Sequence, residues 1–192
     1  MAFTADKVRQ GVQKDTGYSI DNSLRLNDDD SAYLNRTFGT PTDGKKWTWS
    51  GWVKRGSNIG SDDYLFATAV VGGEEGMIAF NVNDILRVEL GGVNLHTSMK
   101  FRDLSAWYHI IVSVDTTIAS PSGLNQRVKM YVNGVQVTDF GIESYPALNY
   151  SGTINANIAH QVGESIKYSG NHHDGYLAEV HFIDGQALDP TS

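Results

Sequence analysis

Arg127-Val128-Lys129-Met130-Tyr131-Val132, then Asn133-Gly134, then Val135-Gln136-Val137-Thr138: two alternating stretches meet at a two-residue turn. Asn-Gly supplies the two positive-φ positions of a type I′ turn, whose twist matches that of the strands it joins. The turn sets Val132 opposite Val135 and Met130 opposite Val137. Val128, Met130, Val132, Val135 and Val137 then share one face, and Lys129, Tyr131, Gln136 and Thr138 share the other. A slip of one residue would turn the apolar set to water, so the register is well specified. One apolar face requires a second sheet to cover it.

Other stretches supply strands of the same kind. Trp107 to Thr117 carries Tyr108, Ile110, Val112 and Val114 on one face. Trp47, Trp49, Gly51 and Val53 alternate in a further strand, with Trp52 on its opposite side. Ile78, Phe80 and Val82 alternate before Asn83-Asp84, and Leu86, Val88 and Leu90 after it, which predicts a second hairpin. Ser23 to Asn27, Ala32 to Leu34, Tyr64 to Ala69, Ile158 to Val162 and Tyr176 to Ile183 complete the set. Gly91-Gly92 and Val93-Asn94-Leu95 read as a connection, as does the segment 142–157. About ten short strands with almost no helix predict an all-β fold, a two-sheet antiparallel jelly-roll sandwich. The domain is expected over residues 21–192. Residues 1–20 stand apart as an N-terminal arm: a frayed leader is one reading, and Phe3, Val8 and Val12 at helical spacing suit a partner or a sister subunit in the other.

The composition narrows the partners. A formal net charge of −7 and a pI near 5.2 argue against nucleic acid. With no cysteine, thiolate catalysis, thiolate metal sites and disulfides are excluded. No apolar run approaches the ~20 residues that cross a membrane, and the first residues show no apolar signal segment. Export by the general secretory route is therefore not expected, no membrane partner is read, and an external role would need another route, such as release inside an assembled particle.

Candidate chemistry is sparse. Asp28-Asp29-Asp30 could offer oxygen ligands to calcium, but the glycine and distal glutamate of an EF-hand loop are missing. An acidic turn is the commoner explanation, so no metal residues are assigned and calcium stays an open alternative. Gly72-Gly73-Glu74-Glu75-Gly76 is a turn without the lysine of a phosphate loop. His172-His173-Asp174 lacks a second helical histidine for chelation and reads as a solvated loop. Glu143, Glu164 and Glu179 stand alone, and no strand carries the closely spaced carboxylates of glycoside hydrolysis. No catalytic residue is assigned, and a hydrolase is the least favoured reading.

Four motifs in order carry a resemblance. Asn22-Ser23-Leu24-Arg25-Leu26 through Trp49-Ser50-Gly51-Trp52-Val53-Lys54 opens it. Trp107-Tyr108-His109 with Ile110 to Asp115 follows, then Val128 to Gly134, and Asp174-Gly175-Tyr176-Leu177-Ala178-Glu179-Val180-His181-Phe182 with Gly185-Gln186-Ala187-Leu188 closes it. Together they resemble laminin-G-like, concanavalin A-like domains over about residues 22 to 190. Their wording is similar to versions found in structural proteins of tailed bacteriophages, on fibres, appendages and decorations. The resemblance implies a non-enzymatic virion protein, displayed on the particle as a head decoration or appendage and able to aid adhesion to host glycans. A tail-fibre-type carbohydrate-binding receptor module is the alternative. Implied partners are other virion proteins of capsid or tail, host surface glycans, and further copies of the chain, trimers being common on appendages. Such domains hold ligands on rim loops, which here singles out Trp52, Asp62, Asp63, Tyr64, His172, His173 and Asp174.

Overall fold

The computed structural model describes residues 20–57, 59–119, 123–168 and 171–192. The expected arm contacts Phe3, Val8 and Val12 lie outside the described residues. Among those described, thirteen strands form two antiparallel sheets. The first half of the chain gives β1 (Leu24–Leu26), β2 (Leu34–Thr37), β3 (Lys46–Arg55), β4 (Asp63–Thr68), β5 (Gly76–Phe80), β6 (Ile85–Leu90) and β7 (Asn94–Lys100). The second half gives β8 (Tyr108–Asp115), β9 (Val128–Val132), β10 (Val135–Gln136), β11 (Phe140–Glu143), β12 (Ala159–Val162) and β13 (Gly175–Asp184). One sheet runs β1-β13-β3-β8-β9-β10 and the other β11-β7-β6-β5-β4-β12-β2. This is the concanavalin A-like jelly-roll sandwich.

The period of two does what the sequence predicts over the long strands. Trp47, Trp49 and Val53 of β3, Ile110, Val112 and Val114 of β8, and Val128, Met130 and Val132 of β9 point into one core. Leu86, Val88 and Leu90 of β6 meet them from the other sheet. The hairpin forms with Val132 opposite Val135, and Asn133 and Gly134 take φ of 51° and 78°. Its second arm differs from the expectation: the ladder lasts only two residues, and Val135 is 70% exposed. Beyond it the chain crosses to the other sheet, where β11 pairs with β7. Neither of those strands was expected. Both are edge-ward and carry polar residues such as His96, Thr97 and Ser98, so their alternation is weak.

Charge joins the two sheets at one end. Arg55, at the end of β3, is on the core face and 2% exposed. Its Nε donates to Asp63 of β4 at 3.1 Å, and its Nη1 donates to Asp84 in the β5–β6 turn at 3.2 Å and to the Phe101 carbonyl at 2.8 Å. The guanidinium also lies over the Phe80 ring, 4.6 Å from its centroid. Asp63 bonds to His173 Nδ1 at 2.5 Å from its other oxygen. Burial would raise the Asp84 carboxyl, but hydrogen bonds from Arg102, Gly60 and Arg55 outweigh it and hold the group below its ordinary range. A carboxyl depressed in this way supplies stability that is complete above its unfolded value, about 3.9, and is lost as the pH falls through its folded value.

Replacing Arg55 with Met removes the cation that Asp63 and Asp84 share, leaving buried Asp84 with Arg102 alone and buried Asp63 with His173. The expected cost is about 3–5 kcal/mol, read from urea unfolding at neutral pH. An unchanged midpoint would mean that the ion group does not hold the sheets together.

Candidate functional site

Alternation that sends Leu86, Val88 and Leu90 inward sends Arg87 and Glu89 to the outer face of the seven-stranded sheet. There, pairing aligns two rows across the strands. Tyr64, Ala79, Arg87 and His96 make one row. Gln161, Ala67, Met77, Glu89 and Asn94 make the next. Tyr64, Ala67, Met77 and Ala79 form a small apolar floor, none more than 3% exposed. A bulge between Tyr64 and Phe66 allows Leu65 and Phe66 both to enter the core while Tyr64 stays on the outer face.

The segment after β12 folds onto this face. Ser165 is fully buried and its hydroxyl donates to Glu75 Oε1 at 2.8 Å, while the Tyr168 amide donates to Ser165 Oγ at 3.1 Å. The result is a polar groove of about 420 Å³ walled by Glu75, Arg87, Glu89, Lys167 and Tyr168, with the Gly91-Gly92 turn at one end. Gly91 has a φ of +56°, and a Cβ there would meet the Tyr150 hydroxyl at 2.1 Å and Glu74 Oε2 at 2.4 Å, so only glycine serves.

Arg87 is the centre of the groove. Its Nη2 donates to the Tyr64 hydroxyl at 3.1 Å and lies 3.4 Å from Asp62, and its Nη1 lies 3.4 Å from Glu89. Burial pushes the Tyr64 phenol up to about 12, with Arg87 acting against it. Burial likewise holds His96 below the ordinary imidazole range, which leaves it neutral near pH 7. His96 Nε2 is 3.7 Å from Glu89, too far for a hydrogen bond. Glu75 Oε2, Arg87 Nε, His96 Nε2 and Gln161 Oε1 are buried with no hydrogen-bond partner among the described residues, and all four side chains belong to this face. Of the four, Glu75 and Arg87 line the groove, and each of their two atoms stands to recover about 1–3 kcal/mol from a ligand that completes it.

The residues singled out from sequence divide three ways. Tyr64 and half-buried Asp62 border the groove through Arg87. Asp63, His172, His173 and Asp174 are 0%, 6%, 0% and 3% exposed, so the solvated rim loop is corrected to a buried polar group. The cause is pairing: Asp63 is the first residue of β4 and clamps Arg55 and His173, while Asp174 accepts from Ser57 and is paired with Arg25. His172 stacks on Tyr33, with centroids 6.4 Å apart. Trp52 lies on the opposite side of the sandwich, stacked on His109 at 4.9 Å. Asp28–Asp30 form one 3-10 turn, and among the described residues no group of three His, Asp or Glu could hold a metal ion. Sequence reasoning missed Glu75, Arg87, Glu89 and His96. Arg87-x-Glu89 on the polar phase of a strand was the available signal.

A larger cleft of about 870 Å³ opens between the β1–β13 and β12–β2 edges, walled by Leu24, Leu34, Phe38, Val180 and Phe182. Its walls are mainly apolar, and Trp49, whose buried Nε1 has no hydrogen-bond partner among the described residues, is one of them.

A family model described as the concanavalin A-like lectin/glucanases superfamily matches residues 26–191. Among curated proteins, none matches the chain. The native heptameric SAP-like pentraxin from Limulus polyphemus is similar over 81% of this chain and 70% of its own, at 15% identity and a TM-score of 0.54. Domain 4 of AbnA, an extracellular arabinanase from Geobacillus stearothermophilus solved in complex with arabinotriose, is similar over 88% of this chain and 84% of its own, at 17% identity and a TM-score of 0.53. The Trypanosoma rangeli sialidase in complex with sialic acid matches at 11% identity and a TM-score of 0.53; this chain covers 77% of itself but only 22% of that enzyme. At these identities the likeness is one of fold.

Burial pushes the Glu75 carboxyl above its ordinary range, partly offset by Ser165 and Lys167. The folded chain therefore binds that proton more tightly than the unfolded chain, and stability falls as the pH rises between the two values. Glu75→Gln should be more stable than the parent at neutral pH, and the advantage should close as the pH falls from the folded value of Glu75 toward about 4.3. Thermal unfolding over that pH range checks it; a variant less stable at neutral pH would contradict it.

Proposed function

The chain belongs to the concanavalin A-like lectin/glucanases superfamily, and on that premise we propose that it is a non-enzymatic glycan-recognition module displayed on the surface of a tailed-bacteriophage particle. The sugar seat is the groove on the outer face of the seven-stranded sheet. One observation carries this reading: buried, partnerless polar atoms of Glu75 and Arg87, both lining the groove, gather beside the exposed Tyr168 ring. A pyranose offers what they lack, hydroxyls around its rim and an apolar face for the ring.

The non-enzymatic reading rests on how the carboxylates are used. Hydrolysis needs an acid and a second carboxylate free to act as base or nucleophile on either side of the scissile bond. Glu89 is instead held by Arg87, and Glu75 takes the Ser165 hydroxyl. The particle setting rests on the likeness of the hairpin and closing-strand motifs to tailed-phage structural proteins. A chain without cysteine suits assembly in a reducing cytoplasm. In this proposal the domain is a head decoration or appendage, residues 1–20 attach it to capsid or tail, and it acts as a homo-oligomer. The tail-fibre receptor module stays the second reading, because it uses the same groove.

The two halves of the proposal separate experimentally. Purified particles should bind the full chain stoichiometrically and fail to bind a chain lacking residues 1–20. Tyr168→Ala should leave particle binding intact and weaken host-glycan binding at least tenfold. Particle binding that survives loss of the arm would refute the attachment role, and glycan binding indifferent to Tyr168→Ala would refute the groove.

A further inference from the structure

We infer that the groove selects glycans bearing a free amino group, an amino sugar that is not N-acetylated, with the ammonium seated against Glu75. This rests on the glycan-binding reading above and goes further by naming the ligand class. Glu75 is 5% exposed, and one of its oxygens already accepts from Ser165. The other, Oε2, is buried, has no hydrogen-bond partner among the described residues and belongs to a side chain that walls the groove. A carboxylate oxygen only accepts, so the missing partner is a donor.

The surrounding charge decides which donor. Glu74, Glu75 and Glu89 line the groove, and Asp62 stands behind Arg87. Against these four carboxylates are Arg87 and Lys167. Arg87 is already committed: Asp62 and Glu89 flank its terminal nitrogens and Tyr64 accepts from one of them. Lys167 is exposed, its ammonium 5.2 Å from the centre of the Tyr168 ring. His96, held neutral by burial, adds no cation. A sialic or uronic acid would bring its carboxylate toward Glu75 and Glu89, with only the exposed Lys167 ammonium to receive it. An ammonium would complete Glu75 Oε2 with a charge-assisted hydrogen bond and relieve the like-charge crowding. N-acetylation removes that charge and replaces the ammonium with a bulkier neutral amide.

The test is titration calorimetry with three tetrasaccharides: β-1,4-linked glucosamine, its fully N-acetylated form, and an oligogalacturonate. A chain of net charge −7 attracts any cation weakly, so each titration is run at physiological salt and repeated on Glu75→Gln and Tyr168→Ala. The inference predicts at least tenfold tighter binding of the glucosamine oligomer than of its N-acetylated form and no binding of the uronate. It further predicts that the preference collapses in Glu75→Gln while thermal unfolding shows that variant folded. Equal affinity for the amine and the N-acetylated sugar, both lost in Tyr168→Ala, would overturn the inference and leave the glycan seat standing. Preference for the uronate would overturn it too, as would an amine preference unchanged by Glu75→Gln. Binding of all three sugars unaffected by Tyr168→Ala would overturn the seat itself.

Discussion

A single guanidinium shared between two sheets sets the terms for this molecule. Arg55 sits on the core face of β3 because the same alternation that buries Trp47, Trp49 and Val53 reaches it one step later. A buried cation must be neutralised, and the carboxylates come from the other sheet: Asp63 at the start of β4 and Asp84 in the β5–β6 turn. Asp63 then reaches back to His173, just before β13. Most other contacts between the sheets are apolar and tolerate some sliding. The ion group does not, because its hydrogen bonds fix direction as well as distance.

That rigidity reaches the groove through neighbouring residues. Asp63 faces inward to Arg55, and the next residue, Tyr64, faces outward to Arg87. The inner clamp and the outer row are therefore one residue apart on one strand. On the adjoining strands Asp84 closes the turn from which Arg87 and Glu89 project. The covering segment is anchored at its far end by His172, His173 and Asp174, the first of which bridges back to Glu164. A site whose side chains are held by strands and a buried ion group loses little freedom when a ligand arrives, which favours binding.

Much of the fold was legible. The Asn-Gly turn fixed one register, and strict alternation in β3, β6, β8 and β9 placed most of the core on the correct side. Where the alternation was diluted, the reading failed: β7 carries polar residues on both faces, β11 has only the four residues Phe140–Glu143, and Val135 sits on an arm that leaves the sheet after two residues. The candidate site was legible only in part. Asp62 and Tyr64 were read as rim residues, and in the fold both contact Arg87. His172 to Asp174 looked exposed because polar residues in a glycine-bounded segment usually are. Their burial depends on Arg25, Ser57 and Asp63, more than a hundred residues away in sequence. Glu75 appeared to be a turn residue; its depth comes from Ser165, ninety residues on. Local pattern reports which face a side chain takes, and it says nothing of what later folds over that face.

The central claim is that the ligand seat lies on the outer face of the seven-stranded sheet. Chemical-shift mapping on the isotope-labelled chain, titrated with a bound glycan, tests it most directly. The four tryptophan indoles serve as reporters that stay away from the groove. The account predicts shifts concentrated at Glu75, Met77, Arg87, Glu89 and Tyr168, with the indole of Trp52 unmoved. Shifts centred on Trp52 and His109, on the opposite sheet, with β5 and β6 silent, would contradict it.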